Sequence, residues 1–205
     1  MVQAASRIKT FEDFLTVDTG DDRLYEWING ELVLMAEPTI EHEDIADFLY
    51  DRLNVERKRQ GLDYVVKRRL SVKLKTASDE LIQGRRPDVV VMEGQQWRAD
   101  RRREAAAYEP PLLAIEVVSQ NWRDDYILKK AEYEQTGILE YWILDYRALA
   151  RADYLLGQKV PTLFICNLIH RAYETQCFRS QDPIHSQIFP NLKLTLEQII
   201  RAAEV

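Results

Sequence analysis

The sequence predicts an α/β (α+β) fold in which a mixed β-sheet is flanked by helices. Two apolar strands, one beginning at Asp88 and one containing Glu116, precede a helical pattern over 123–136 and then another apolar strand. A strand–helix–strand order implies a parallel crossover. A hairpin near the N-terminus and short strands in the last third add antiparallel pairs, so the predicted sheet is mixed.

The first elements are a short helix and a hairpin. The helix is predicted over 10–18, with Thr10 as its N-cap. The dipeptide Asn29-Gly30 favours positive φ at both central positions of a type I′ turn, which predicts a hairpin. Its two strands are predicted at 24–28 and 31–35.

The middle of the chain alternates helical and strand patterns. Apolar residues at helical spacing predict a long helix over 40–60, with Gly61 directly after its end. A half-buried strand is predicted over 64–75, followed by a loop over 76–84. The charged stretch 94–111 separates the two acid-bearing strands and is predicted to be a loop with a helical turn.

The helix predicted over 123–136 ends at Gly137. The later elements are strands at 140–145, 152–156, 162–168 and 173–178 and a final helix beginning at Thr195. No internal repeat or long linker interrupts these patterns. We therefore expect a single domain over 1–205 with its core at about 10–200.

Asp88 and Glu116 are the side chains that most strongly indicate a function. Each lies in a run of Val, Ile and Leu, where a carboxylate loses much of its water unless a cation or hydrogen bonds replace it. Two such acids suggest a bound divalent metal, and Lys129 on the following helix could add an ammonium group. This set suits phosphodiester hydrolysis. The structural alternative stays open, because acids at strand ends also cap helices, pair with arginines or face solvent.

Composition and charge exclude several classes of protein. The formal net charge of -6 argues against a protein that coats nucleic acid, because such binding depends on Lys and Arg. A nuclease remains compatible, since it can confine its basic residues to one face. Arg85-Arg86 directly precedes the Asp88 strand and is therefore the basic cluster with most functional weight. Cys166 and Cys177 are too few for a disulfide framework or a zinc site.

Membrane insertion is not expected from the sequence. No apolar run approaches the ~20 residues that a membrane span requires. The first residues also lack the apolar core of a signal peptide. A cytoplasmic location follows as the default expectation.

The chain resembles the Uma2 (DUF820) family, which belongs to the PD-(D/E)XK restriction-endonuclease-like superfamily. The resemblance covers about residues 10–200. The residues that carry it are, in order, Tyr25-Glu26, Gly30-Glu31, His42, Pro87-Asp88, Glu116-Val117-Val118-Ser119, Lys129, Tyr133, Gly137 and Glu140-Tyr141-Trp142-Ile143-Leu144-Asp145. The ordered series is more specific than Pro-Asp or Glu-Val-Val alone.

The resemblance implies a restriction-endonuclease-like core and a metal-dependent endonuclease. Asp88 and Glu116 are expected to hold Mg²⁺, with Mn²⁺ as a substitute, and the carbonyl of Val117 is expected to add a neutral ligand. DNA is the expected partner by analogy with the family, and RNA remains open. A homodimer is one arrangement that exposed strands in the tail would allow. Tyr133 and Trp142 are expected in the core rather than against bases.

The chain departs from the superfamily motif at Val118, where a lysine would complete Glu-X-Lys. The lysine is expected on the next helix as Lys129. The alternative candidate is Lys130, whose side chain is rotated by about 100° from that of Lys129 on a helix. The departure leaves a second hypothesis open, a catalytically inactive nucleic-acid-binding or protein-interaction module of the same fold. Glu31 and His42 are further site candidates, because the first core helix of this superfamily often brings a polar group to the metal. A packed or surface role for His42 is equally open.

Overall fold

The computed structural model describes residues 8–75 and 82–204, with Ile82 described in its backbone alone. The predicted class is confirmed, with two mixed β-sheets flanked by helices. The helices are α1 (Phe11–Thr16), α2 (Ile40–Arg59), α3 (Gly94–Arg98), a π turn (Asp124–Lys129) that continues into α4 (Lys130–Thr136), α5 (Leu196–Arg201) and a closing 3-10 turn (Ala202–Glu204). The strands are β1 (Tyr25–Ile28), β2 (Glu31–Leu34), β3 (Tyr64–Arg68), β4 (Ser71–Lys75), β5 (Ile82–Arg85), β6 (Val89–Glu93), β7 (Ala106–Ala107), β8 (Leu113–Val117), β9 (Glu140–Asp145), β10 (Thr162–Ile169) and β11 (Ala172–Phe178). Within these ranges, no helix has an apolar stretch long enough to cross a membrane.

The larger sheet has the strand order β11-β10-β9-β8-β6-β3. β8 and β9 run parallel, which confirms the predicted crossover through the helix between them. The smaller sheet has the order β2-β1-β5-β4-β7. The single strand predicted over 64–75 is wrong, because Arg69 adopts a left-handed conformation with φ of 48°. That break lets β3 and β4 belong to different sheets.

Both faces of the larger sheet are covered by other elements. One face packs on α2 and α5, and the other packs on β4 and on the helix before β9. Successive strand residues point to opposite faces. Ile115 and Val117 of β8 belong to the first buried cluster, whereas Ala114 and Val118 belong to the second. Glu116 therefore points to the second face, toward the crossover helix.

The loop predicted over 76–84 is wrong in its last residues, where β5 pairs with β4. A Cβ atom on Gly84 would lie 2.5 Å from the ring of Phe14. Glycine at this position therefore allows α1 to pack directly on the strand. The remainder of the predicted loop, 76–81, lies outside the described residues.

The strand predicted over 152–156 is also wrong, because this segment forms turns. Asp145, at the end of β9, accepts hydrogen bonds from the backbone N–H groups of Leu149 at 2.7 Å and Ala150 at 2.9 Å. These bonds direct the chain into a turn after β9.

The predicted N-cap at Thr10 and the predicted hairpin turn are confirmed. Thr10 forms a capping box at the start of α1. The final helix, predicted to begin at Thr195, begins at Leu196, and Thr195 forms a capping box before it. Asn29 and Gly30 have φ of 51° and 84°, as a type I′ turn requires.

Glu140 connects β9 to the segment before α5. Its buried carboxylate accepts hydrogen bonds from Trp142 Nε1 at 2.6 Å, Ser186 Oγ at 2.7 Å, and the backbone N–H groups of Gln187 at 2.7 Å and Ile188 at 3.2 Å. These donors satisfy a carboxylate that is removed from water. Trp142 itself is a core residue, as predicted.

Replacing Glu140 by glutamine is expected to lower the free energy of unfolding by about 3 kcal/mol, because an amide group would bring its own donors against the existing ones. Urea denaturation of wild type and variant measures this difference. Glu174→Gln is the matched control, since Glu174 is exposed on β11. Equal midpoints for Glu140→Gln and Glu174→Gln would contradict this account of Glu140.

Candidate active site

The two acids lie on neighbouring antiparallel strands. Asp88 directly precedes β6, and Glu116 is in β8. Because Val89 pairs with Ile115, the same register places Asp88 opposite Glu116. Both carboxylates are nearly buried, at 7% and 3% exposure.

Asp88 is held by a histidine and by the backbone of β8. Its Oδ2 accepts the N–H of Val117 at 2.8 Å and lies 3.3 Å from Nε2 of His42. The same His42 nitrogen is 2.9 Å from the carbonyl oxygen of Val117. Burial alone would raise the pKa of Asp88, but the bond to His42 holds it below its ordinary value. In turn, burial opposes protonation of His42, yet Asp88 raises the pKa of His42.

Glu116 has a donor on each oxygen. Tyr133 donates its hydroxyl to Oε1 at 2.6 Å, and Nζ of Lys129 lies 3.0 Å from Oε2. Burial raises the pKa of Glu116 well above its ordinary value against the attraction of Lys129, and repulsion from Asp88 adds to the rise. The two acids therefore have pKa values displaced in opposite directions.

Lys129 lies among acids and is itself buried. Its Nζ also donates to Oδ1 of Asp125 at 3.0 Å. Burial would lower the pKa of Lys129, but the charges of Asp125 and Glu116 outweigh it and raise that pKa well above its usual range. Burial raises the pKa of Asp125 to about 6. The neighbouring Lys130 points elsewhere, to Thr175 Oγ1 at 3.1 Å.

The helix that carries Lys129 begins with a π turn over Asp124–Lys129. Turns of this type hold one additional residue and are frequent at functional sites. The regular helix α4 follows, so Lys129 and Tyr133, four positions apart, share a face and both contact Glu116.

Arg85 connects this helix to the smaller sheet. Its guanidinium is 1% exposed and contacts Glu26 of β1 at 2.8 Å, Asp124 of the π turn at 3.2 Å and Glu132 of α4 at 2.8 Å. A second pair of bonds, at 3.3 Å to Asp124 and 3.0 Å to Glu132, makes both contacts bidentate. Arg86 completes the connection by donating its backbone N–H to Glu26 at 2.9 Å.

The structure brings together five of the residues selected from the sequence: Asp88, Glu116, Val117, Lys129 and His42. Glu31 lies elsewhere, exposed on β2 at the edge of the smaller sheet. Within the described residues it forms no ion pair with this cluster.

Several residues of the cluster were not selected from the sequence. Tyr133 is in the core as predicted, but its hydroxyl also binds Glu116. Glu26 and Asp125 were not selected as site residues, although Glu26 is itself part of the series that carries the resemblance. The position of Arg85-Arg86 directly before the Asp88 strand was the one sequence signal for the buried guanidinium of Arg85.

The oxygen atoms available here suit a hard cation. Within ranges 8–75 and 82–204, no group of three or more His, Cys, Asp or Glu side chains is arranged to hold a metal. Mg²⁺ does not need such a group, because it is commonly bound by one or two carboxylates and keeps several waters. Asp88, Glu116 and the carbonyl of Val117 supply oxygen donors alone. A cation would also relieve the repulsion between the two carboxylates.

Comparison with known proteins identifies the family. A family model described as "Uma2: Putative restriction endonuclease" matches residues 11–197. No curated protein matches the chain. A crystal structure described as a putative nuclease belonging to DUF820 from Anabaena variabilis is similar in fold, with a TM-score of 0.69 at 17% sequence identity, over 93% of this chain and 96% of that chain. Since the family model spans most of the sequence, the chain belongs to the Uma2 family.

Proposed function

We propose that the chain is a metal-dependent endonuclease that hydrolyses phosphodiester bonds of DNA, with Mg²⁺ as cofactor and Mn²⁺ as a substitute. The observation that carries the proposal is the meeting of Asp88, Glu116 and Lys129, from three separate elements, in one buried cluster. Membership of Uma2 supports the nuclease class. DNA is chosen over RNA by analogy with the family.

In this proposal Asp88, Glu116 and the carbonyl of Val117 would hold the metal ion. When bound, the ion would supply activation of water and neutralisation of the charge that grows on the phosphate. Lys129 keeps its proton, because its pKa is raised well above the usual range. It is therefore a donor that orients the attacking water and stabilises developing negative charge, and not a general base. His42 is a positioning residue, since it contacts both Asp88 and Val117.

Cleavage of supercoiled plasmid, single-stranded DNA and RNA in Mg²⁺ or Mn²⁺ tests the proposal. Wild type is compared with Asp88→Ala, Glu116→Ala and Lys129→Ala, and with Glu31→Gln as a control on an exposed acid. We expect wild type and the control to cut DNA while the other three variants do not. Equal residual activity in wild type and Asp88→Ala would instead favour the inactive binding or interaction module of the same fold.

Metal binding is expected to stabilise the protein in a pH-dependent way. Mg²⁺ at 100-fold above its Kd should add about 2.7 kcal/mol, a rise of roughly 5–10 °C in Tm. Because the pKa of Glu116 is raised in the folded state, the metal-free protein loses stability as pH rises and this carboxyl ionises. The metal binds the ionised form, so its stabilising effect should grow over the same pH range.

Thermal unfolding with and without Mg²⁺ or Mn²⁺ across pH measures this effect. Glu116→Gln should remove both the rise in Tm and its dependence on pH, whereas Glu31→Gln should keep them. A rise in Tm that is the same in Glu116→Gln as in wild type would place the ion elsewhere.

A further inference from the structure

A cleft opens where the edges of the two sheets lie side by side. β3 is the last strand of the larger sheet and β7 is the last strand of the smaller one. The cleft has a volume of about 400 Å³. Val65 of β3, Met92 of β6 and Ala106 of β7 line it, together with Trp97 of α3 and Tyr108. Its size and aromatic lining are typical of a site for a flat ring.

Cations accompany both aromatic rings. Nζ of Lys67 lies 5.3 Å from the ring centre of Trp97, and the guanidinium of Arg103 lies 3.7 Å from that of Tyr108. Arg101 and Arg103 both line the cleft, and both are exposed. In the part of the chain that the structure describes, neither arginine nor Lys67 forms an ion pair, so their charges are available to an anion.

The chain of β3 leads from this cleft to the acids. Val65 and Lys67 alternate along the strand and so share a face. At the far end, Arg69 donates its backbone N–H to the carbonyl of Asp88 at 3.3 Å. Met92 in the cleft is four residues from Asp88, about 13 Å along a strand. Stacked bases repeat every 3.4 Å, so this length is about four nucleotides.

We propose that the cleft binds an unpaired base of a nucleic-acid strand whose phosphodiester bond lies at the Asp88–Glu116 site. This inference rests on the proposed nuclease function and specifies its substrate as single-stranded or locally unpaired. Stacking on Trp97 needs an exposed base face, which a paired duplex does not offer, whereas the ring of Tyr108 is already covered by the guanidinium of Arg103. Lys67 and the arginines contact the backbone phosphates, as in proteins that combine stacking with a basic groove.

The polar lining of the cleft offers partners for both a phosphate and a neutral base. Asp100, Glu104 and Glu109 also line the cleft. Their carboxylates would repel a phosphate but accept hydrogen bonds from the amino group of a base. The phosphates are therefore assigned to the cations and the amino group of the base to these carboxylates, which are exposed as the arginines are.

Binding without turnover tests the inference. The full chain in Ca²⁺ is titrated into fluorescein-labelled single-stranded and duplex DNA of one sequence, and anisotropy gives the Kd. Trp97→Leu should weaken single-strand binding at least about tenfold, because it removes the stacking surface and keeps an apolar side chain. Tyr154→Leu, at a partly exposed tyrosine outside the cleft, is the matched control and should bind as wild type does.

The outcomes separate this inference from the proposed activity. Loss of single-strand binding in Trp97→Leu supports the cleft, even if wild type cleaves nothing. If wild type cleaves plasmid and Trp97→Leu binds and cleaves DNA as wild type does, the base-binding role of the cleft is wrong and the proposed nuclease function stands. Tighter binding of duplex than of single strand, or no DNA binding by wild type, also overturns it.

Discussion

Replacing Lys129 by methionine is expected to reduce the rate of DNA cleavage by at least about a hundredfold, the usual cost of losing one group that stabilises transition-state charge. The change removes the ammonium group 3.0 Å from Glu116 and keeps an unbranched side chain of similar length. Single-turnover cleavage at saturating Mg²⁺ separates this effect from weaker metal binding.

Lys130→Met is the matched control for that measurement. Its ammonium contacts Thr175 on β11, so its loss should leave the cleavage rate unchanged. A Lys129→Met enzyme that cleaves within a few-fold of wild type would remove Lys129 from the mechanism. A large loss in Lys130→Met alone would exchange the two roles.

The second large effect is expected for Arg85→Met, which should lower the free energy of unfolding by about 3–5 kcal/mol. The guanidinium is almost fully buried and is shared by Glu26, Asp124 and Glu132. Without it, three carboxylates lose the cation that they all contact, and Lys129 remains as a cation whose charge acts on Glu26. Since a domain is stable by only about 5–15 kcal/mol, this variant should unfold at a much lower urea concentration.

The pH dependence of stability distinguishes this cause from a simple loss of packing. Burial would raise the pKa of Glu26, but the charges of Lys129 and Arg85 hold it below its ordinary value of about 4.5. In wild type this carboxyl therefore adds stability above that pH, and the contribution is lost as pH falls. In Arg85→Met burial should raise the same pKa, so acidification should restore stability to the variant.

Urea denaturation at several pH values between neutral and mildly acidic measures how the free energy of unfolding depends on pH in wild type and in Arg85→Met. Arg151→Met is the control, because Arg151 is exposed and pairs with Asp153 on the surface. A constant difference between Arg85→Met and wild type at every pH would indicate that packing, and not charge, explains the loss.

Local patterns in the sequence predicted most elements of the fold. The hairpin at Asn29-Gly30 and the cap at Thr10 depend on neighbouring residues alone, and both were confirmed. The errors occurred where distant contacts decide the conformation. Arg69 has a positive φ, although arginine, unlike glycine, does not predict one. β5 forms because β4 and the ring of Phe14 lie beside Gly84.

Local patterns in the sequence also predicted part of the candidate site. Asp88 was conspicuous because it begins an apolar strand, and Glu116 because it interrupts one. The spacing of Lys129 and Tyr133 predicts a shared helix face. Glu26 lies far from Asp88 in the sequence, on the other sheet, and no local pattern links it to Arg85.

The π turn accommodates one additional residue in the helix that carries Lys129. In a regular α-helix, Asp124 and Glu132 would be rotated by about 80° from each other, whereas the wider turn lets both bind Arg85. Deleting one residue from 126–128 would restore regular winding and leave each charged contact residue in place. It would leave Asp124 and Glu132 seven positions apart and within about 20° of each other, so both could still bind Arg85. The π turn therefore absorbs one additional residue between Glu116 and Lys129 without moving Asp124 away from Arg85.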